Sequence, residues 1–314
     1  LHAAGRASMA SRVALIFMTV IAAVSSKESI AVEIDHSGEP HSVPEDLADK
    51  EAEARAGLAQ EFSEALVDIM AVLLHGSDGA KDGAIERLSE MAVSTGEAGR
   101  VQARMFRSAV VAGGAIPALV SVLGSAQEQR QFLAANALHV LALDDPTTDA
   151  DNFHSFEICQ SGAVEPLVKL LNSEHEPVQA AATAALSALA ENPTCQYMIS
   201  AAGAVAPLVK MATFANDWQK LGAMGALDVL QINNPTAREQ MQQVDASTIL
   251  KGLSTMGSGL LREQAATLQS SLSAEPAEPM SSEAHVQASR KTRMRYDGVR
   301  RDAIRMMQGW ERGG

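Results

Sequence analysis

Through the middle of the chain apolar residues recur at helical spacing. The clearest run is Val178, Ala181, Ala182, Ala185, Leu186 and Leu189, which leaves Gln179, Thr183, Ser187 and Glu191 for the outer side. This predicts one amphipathic helix. Similar alanine-rich runs centre on Leu138, Leu186, Leu227 and Leu268, at steps of 48, 41 and 41 residues. The same helix therefore recurs, and strand-like alternation is not evident.

Ahead of three of these runs stands one phrase, Gly114-Ala115-Ile116-Pro117-Ala118-Leu119-Val120, repeated as Gly162-Ala163-Val164-Glu165-Pro166-Leu167-Val168 and as Gly203-Ala204-Val205-Ala206-Pro207-Leu208-Val209. Glycine suits the residue just past a helix end, and proline is tolerated in the first turn of the next, so each phrase marks a corner between two helices. Each unit then consists of a short helix, a glycine corner, a middle helix such as 166–171, a polar turn and a long helix. A period near forty residues belongs to helical solenoids, in which each unit buries its apolar face only against its neighbours. Composition agrees, with 46% hydrophobic but only 4% aromatic residues.

The phrases "GAIPALVSVL" and "GAVEPLVKLLNSEHEPVQAAATAALSALAENP" make the chain resemble the armadillo-repeat family over roughly residues 105–272. Residues 244–253 and 260–272 fit a fourth, decayed copy with neither Gly nor Pro at its corner, and 58–92 fits a degenerate first copy. The resemblance implies an all-α fold, a right-handed armadillo-type α-α superhelix of about four to five repeats. It also implies a non-enzymatic interaction module that binds a partner protein on its concave face. In the family's nuclear-import adaptors the long helix carries a Trp and, four residues on, an Asn that holds extended peptide backbone. Here the Trp positions are Asn136, Ala184 and Gly225 and the Asn positions Val140, Ala188 and Val229, so the peptide-clamping ladder is absent. A helix or a rigid domain surface is the expected occupant. The expected contact residues are Asn136, His139, Val140, Ser187, Ala188, Asp228 and Val229.

The termini differ from the middle. Residues 1–8 precede the first methionine, Met9, and read as an upstream segment. Residues 9–26 contain an apolar run of 12, Val13 to Val24, followed by two serines, and read as a signal peptide or a short anchor. Residues 27–56 form an acidic disordered region, 57–272 the solenoid, 273–289 a Ser/Pro/Glu/Ala-rich linker and 290–314 a basic tail. Net charge is −13, and the tail's eight arginines and lysines up to Arg312 stand against the acidic start. Such a tail can attract phosphate or anionic lipid, fold back onto an acidic segment, or stay solvated. Its only aromatics, Tyr296 and Trp310, give no repeated stacking pattern, so nucleic acid is not favoured. Membrane contact would come through the apolar segment or the tail.

Cys159 lies three residues before its glycine corner and Cys195 eight before the next, so the two occupy different phases and are expected to be packed free thiols. Both Asn-Pro-Thr triplets, at 192–194 and 234–236, carry the proline that forbids N-glycosylation. The segments "DNFHSFEICQSGAVEPLVKLL" and "ENPTCQYMISAAGAVAPLVKM" also resemble the armadillo-type nucleotide-exchange factors of heat-shock chaperone ATPases, one branch of which is ER-lumenal. That resemblance implies an exchange factor for a lumenal chaperone ATPase as the alternative function, and a membrane-tethered adaptor is the second alternative. The secretory pathway or ER lumen follows if the signal peptide is genuine, and a cytoplasmic or membrane-anchored location otherwise. No catalytic, cofactor-binding or metal-ligating motif occurs, so no cofactor is expected. His175-Glu176 is expected to lie exposed in an interhelical turn.

Overall fold

A computed structural model describes residues 65–92, 106–143, 153–257, 259–274, 281 and 283–292, and every regular element among them is a helix. The upstream segment, signal-peptide candidate and acidic region lie outside the described residues, as does the tail beyond 292. The chain divides into two compact units, one ending at Ala115 and one beginning at Ile116.

The first unit holds α1 (Ala65–His75), α2 (Asp78–Ala92) and α3 (Phe106–Ala112). Helix α1 buries Leu66, Ile69, Met70 and Leu73, one stripe at helical spacing, and α2 buries Ile85, Leu88 and Ala92. Buried Arg107 donates from Nη1 to the carbonyl of Ala92 at 2.9 Å, satisfying an orphan acceptor at the end of α2. Leu88, within the stretch that fits a degenerate first copy, is fully buried.

The second unit begins in α4 (Ala115–Leu123), followed by α5 (Glu128–Leu141). Three further repeats follow. They are α6 (Phe153–Gln160), α7 (Val164–Leu170) and α8 (Glu176–Leu189); α9 (Pro193–Ala201), α10 (Val205–Phe214) and α11 (Asp217–Leu230); and α12 (Pro235–Gln243), α13 (Ala246–Met256) and α14 (Gly259–Ser273). A further helix, α15, spans 283–292.

The three motif glycines, Gly114, Gly162 and Gly203, all take φ between +81° and +84°, a left-handed conformation that costs any L side chain. At Gly203 the chain turns by 78° between α9 and α10. The fourth repeat makes the same turn at Asp245, with φ +50°. Helix starts are also specified locally. Asn192 accepts from the backbone N–H of Thr194 and Cys195 ahead of Pro193, and Asn216 forms a reciprocal capping box with Gln219.

The predicted spine is the core. Leu138, Leu186, Leu227 and Leu268 are each at most 1% exposed, and removing each from water contributes about 2 kcal/mol. Helix α8 is flanked by α5 on one side and by α11 on the other, which corrects one expectation. Thr183, Ser187 and Glu191 were expected on the outer side but are buried. Thr183 meets Met211 of the next repeat, so the supposedly open flank is an inter-repeat surface.

Polar ties run within and between repeats. Buried Gln196 donates from Nε2 to the carbonyls of Val229 (2.8 Å) and Ile232 (3.0 Å), and Asn234 Nδ2 donates to Ser200 Oγ at 2.9 Å. Gln231 donates to Ser271 Oγ at 2.8 Å, forty residues on.

Two further expectations are overturned. Cys159 and Cys195 are not free thiols: they form a disulfide between α6 and α9, with Cα atoms 5.8 Å apart. The two short helices meet where Cys195 stands beside Ser155 and Cys159, one turn apart on α6, and such a contact does not require equal phase from the glycine corners. The linker expected over 273–289 is helical from 283, and α15 runs across its boundary with the basic tail. The buried face of α15 is His285, Ser289 and Thr292, which offers no apolar period to detect.

Candidate protein-docking face

The third helices α5, α8 and α11 present one comparable face each. Residues four, seven and eleven apart fall on one side of a helix, so Gln129, Leu133, Asn136 and Val140 align on α5, Pro177, Ala181, Ala184 and Ala188 on α8, and Trp218, Gly222, Gly225 and Val229 on α11. The face is most open at the helix starts and closed at their ends. Gln129 and Trp218 are exposed and Pro177 half-buried; Leu133, Ala181 and Gly225 are buried, with Asn136, Ala184 and Gly222 half-buried beside them; Val140, Ala188 and Val229 are buried.

Of the seven expected contact residues, Asn136 alone offers appreciable surface. His139, Val140, Ser187, Ala188, Asp228 and Val229 are buried, Val229 completely. Packing rather than free surface occupies them. The Asp228 carboxylate accepts from Gln231 Nε2 at 3.0 Å. Glu191, just past α8, is 2% exposed and lies 3.9 Å from the Arg290 Nε of α15. On α15 burial lowers the His285 imidazole from its ordinary value, and neither ring nitrogen has a hydrogen-bond partner.

The open end holds residues that the sequence reading missed. Phe214 is 81% exposed and Trp218 37%, flanking the turn into α11; Met256 is 85% exposed and Leu260 42%, flanking the turn into α14. Each member of the second pair stands 42 residues after its counterpart, so one apolar edge recurs in adjacent repeats. At the equivalent turn before α8 stand Ser173 and Pro177. The recurrence was visible as Phe-x-x-x-Trp followed by Met-x-x-x-Leu at the repeat period. Next to that turn, exposed His175 pairs with Glu128 of the preceding long helix at 2.8 Å. Among the described residues no single helix is long and apolar enough to cross a membrane.

Comparison with known proteins agrees with this geometry. Residues 155–191 match the Armadillo/beta-catenin-like repeat. A designed armadillo repeat protein in complex with the peptide (KR)4 is similar in structure at TM-score 0.59 and 20% identity, over 73% of this chain and 95% of that one. Computationally designed armadillo repeat proteins for modular peptide recognition match at TM-score 0.58 and 22% identity, over 69% of this chain and 85% of theirs. The armadillo repeats only protein from Plasmodium falciparum matches at 0.53 and 18%, over 62% and 80%. No curated protein matches the chain in sequence. The fold is the armadillo-repeat solenoid.

Proposed function

We propose that this armadillo-repeat chain is a non-enzymatic docking module whose partner protein sits across the third helices at their open end. The observation that carries this reading is the recurrent exposed pair, Phe214 with Trp218 and Met256 with Leu260. Large apolar side chains standing in solvent at matched positions of adjacent repeats mark an interaction surface, and Trp is the commonest energetic anchor in such surfaces. Asn136 and Ala184 extend the face along the preceding repeats. Small residues at those positions suit a helix or a domain surface rather than an extended peptide held by side-chain amides.

The test is site-specific photocrosslinking from position 218 in cells that make the protein, followed by affinity measurement with the captured partner. Trp218→Ala should weaken binding about ten-fold or more, and Ala184→Arg should weaken it as well. Phe156→Ala, on a first helix, should leave it unchanged. If Trp218→Ala binds as tightly as the natural chain, the open end is not the docking site.

An oxidising compartment is part of the same proposal. The Cys159–Cys195 disulfide favours it, because cytosolic thiols are kept reduced, and the apolar run at 13–24 is consistent with secretion. Maleimide labelling of the protein taken from cells should modify neither cysteine until a reductant is added under denaturing conditions. Labelling without reductant would rule the compartment out. Nucleotide exchange on a lumenal chaperone ATPase shares this compartment. However, the Asn-Pro-x-x-Gln phrase within that segment serves to cap α9 and to tie Gln196 to the end of α11 in its own repeat, so it carries no information about an ATPase.

A further inference from the structure

We propose that α15 is an intramolecular ligand: it occupies the closed end of the third-helix face and must be displaced by any partner that uses the whole face. The inference rests on the docking reading above only for what is masked. The seating of the helix stands on its own observations.

Chain path is the first of them. Helix α14 ends at Ser273 in the last repeat, yet Arg290 meets Glu191 at the end of α8, two repeats back. Ten helical residues span about 15 Å, and repeats stack at about 8–10 Å, so α15 is long enough to reach the end of α8 from a neighbouring repeat. Burial is the second. His285, Ser289 and Thr292, four and three residues apart, form one face that is 5% exposed or less, while Glu283, Gln287 and Lys291 face solvent. The Glu191 contact lies one turn past Ser187 and Ala188, in the strip where a concave-face partner was expected and where the structure leaves little surface.

The chemistry of the seat makes it displaceable. A permanently docked helix would bury leucines; this one buries an imidazole whose ring nitrogens and a serine whose hydroxyl have no partner. Buried polar groups left unpaired oppose the seating. Arg290 reaches Glu191 at 3.9 Å, an ion pair rather than a short hydrogen bond. A partner helix with small apolar residues at the 285, 289 and 292 positions and a basic residue at 290 would satisfy the same strip better.

The experiment uses the full chain and a fluorescent peptide of residues 281–292 added in trans. Natural protein should protect the amides of 283–292 from hydrogen exchange and bind the peptide weakly, because its own helix already occupies the strip. Ser289→Arg places a charged, bulky side chain at a fully buried position and should release the helix, abolishing protection and tightening peptide binding at least ten-fold. Gln287→Arg, on the exposed face, should behave as the natural chain. Glu191→Arg should also lower protection, and adding Arg290→Glu should restore it. Unprotected 283–292 amides in the natural chain, or equal peptide affinity in natural and Ser289→Arg proteins, would overturn the proposal. Failure of the open end as a docking site is read separately, from Trp218→Ala.

Discussion

In the third repeat the buried Gln196 amide donates to the carbonyls of Val229 and Ile232 at the end of α11. In the fourth, Arg238 sends its guanidinium to the carbonyls of Ser271 and Ala274 at the end of α14, each position 42 residues further on. The two side chains solve one problem, since the last carbonyls of a helix have no intrahelical donor. They differ in burial: Gln196 is fully buried, whereas the bonds of Arg238 are part-exposed. The third repeat lies between neighbours and can exclude water from its ties. The fourth is followed by no further three-helix repeat among the described residues, and it uses a long charged side chain that works in solvent. A second difference runs the same way, because only the inner pair of repeats is joined covalently.

That covalent joint gives the largest expected effect. The disulfide closes 36 residues and links α6 to α9. Replacing both cysteines by alanine should cost about 3 kcal/mol, read as an earlier denaturation midpoint. Because neighbouring repeats share interfaces, the loss should appear as faster amide exchange in α6 and α9 and spare α12 to α14. Uniformly faster exchange along the array would mean that the inner and outer repeats are not held separately.

Gln196→Ala comes next. It takes a buried amide donor from the carbonyls of Val229, which keeps the N–H of Ile232, and of Ile232 itself, and should cost about 1.5 kcal/mol, whereas Arg238→Ala, whose acceptors can turn to water, should cost about 0.5 kcal/mol. Chemical denaturation of each variant measures both. Equal losses would show that the fourth repeat depends on its arginine as much as the third does on its glutamine, and the contrast between them would fail.

How legible these features were depends on where their cause lies. The buried leucines and the glycine corners follow from local periodicity and backbone chirality, so Leu186 and Gly203 carried their own explanation. The disulfide depends on where two helices meet, which phase counted from each corner cannot supply. Thr183 meets Met211 of the adjoining repeat and Glu191 meets Arg290 of α15, and neither neighbour is encoded at those positions. Helix α15 itself escaped detection because its inward face is His285, Ser289 and Thr292, a polar set that looks like a solvated linker. The apolar edge was missed for the opposite reason: Trp218 and Phe214 look like core residues until they are set beside Leu260 and Met256 at the repeat period.

The corners give the smallest effects and the sharpest contrast. Gly203 sits at φ +81° with open space where a Cβ would stand, so Gly203→Ala meets no clash and pays only the backbone cost of a left-handed alanine, about 1 kcal/mol. Asp245 already occupies that conformation at φ +50° in the fourth repeat, where no glycine is present. Asp245→Gly should therefore stabilise the chain, by about 0.5 kcal/mol, because relief of the left-handed strain outweighs the extra freedom glycine brings to the unfolded state. Thermal denaturation of the two variants side by side should give shifts of opposite sign. If Asp245→Gly is instead destabilising, the aspartate side chain contributes to the corner beyond its backbone, and the fourth repeat is built by its own rule rather than as a worn copy of the third.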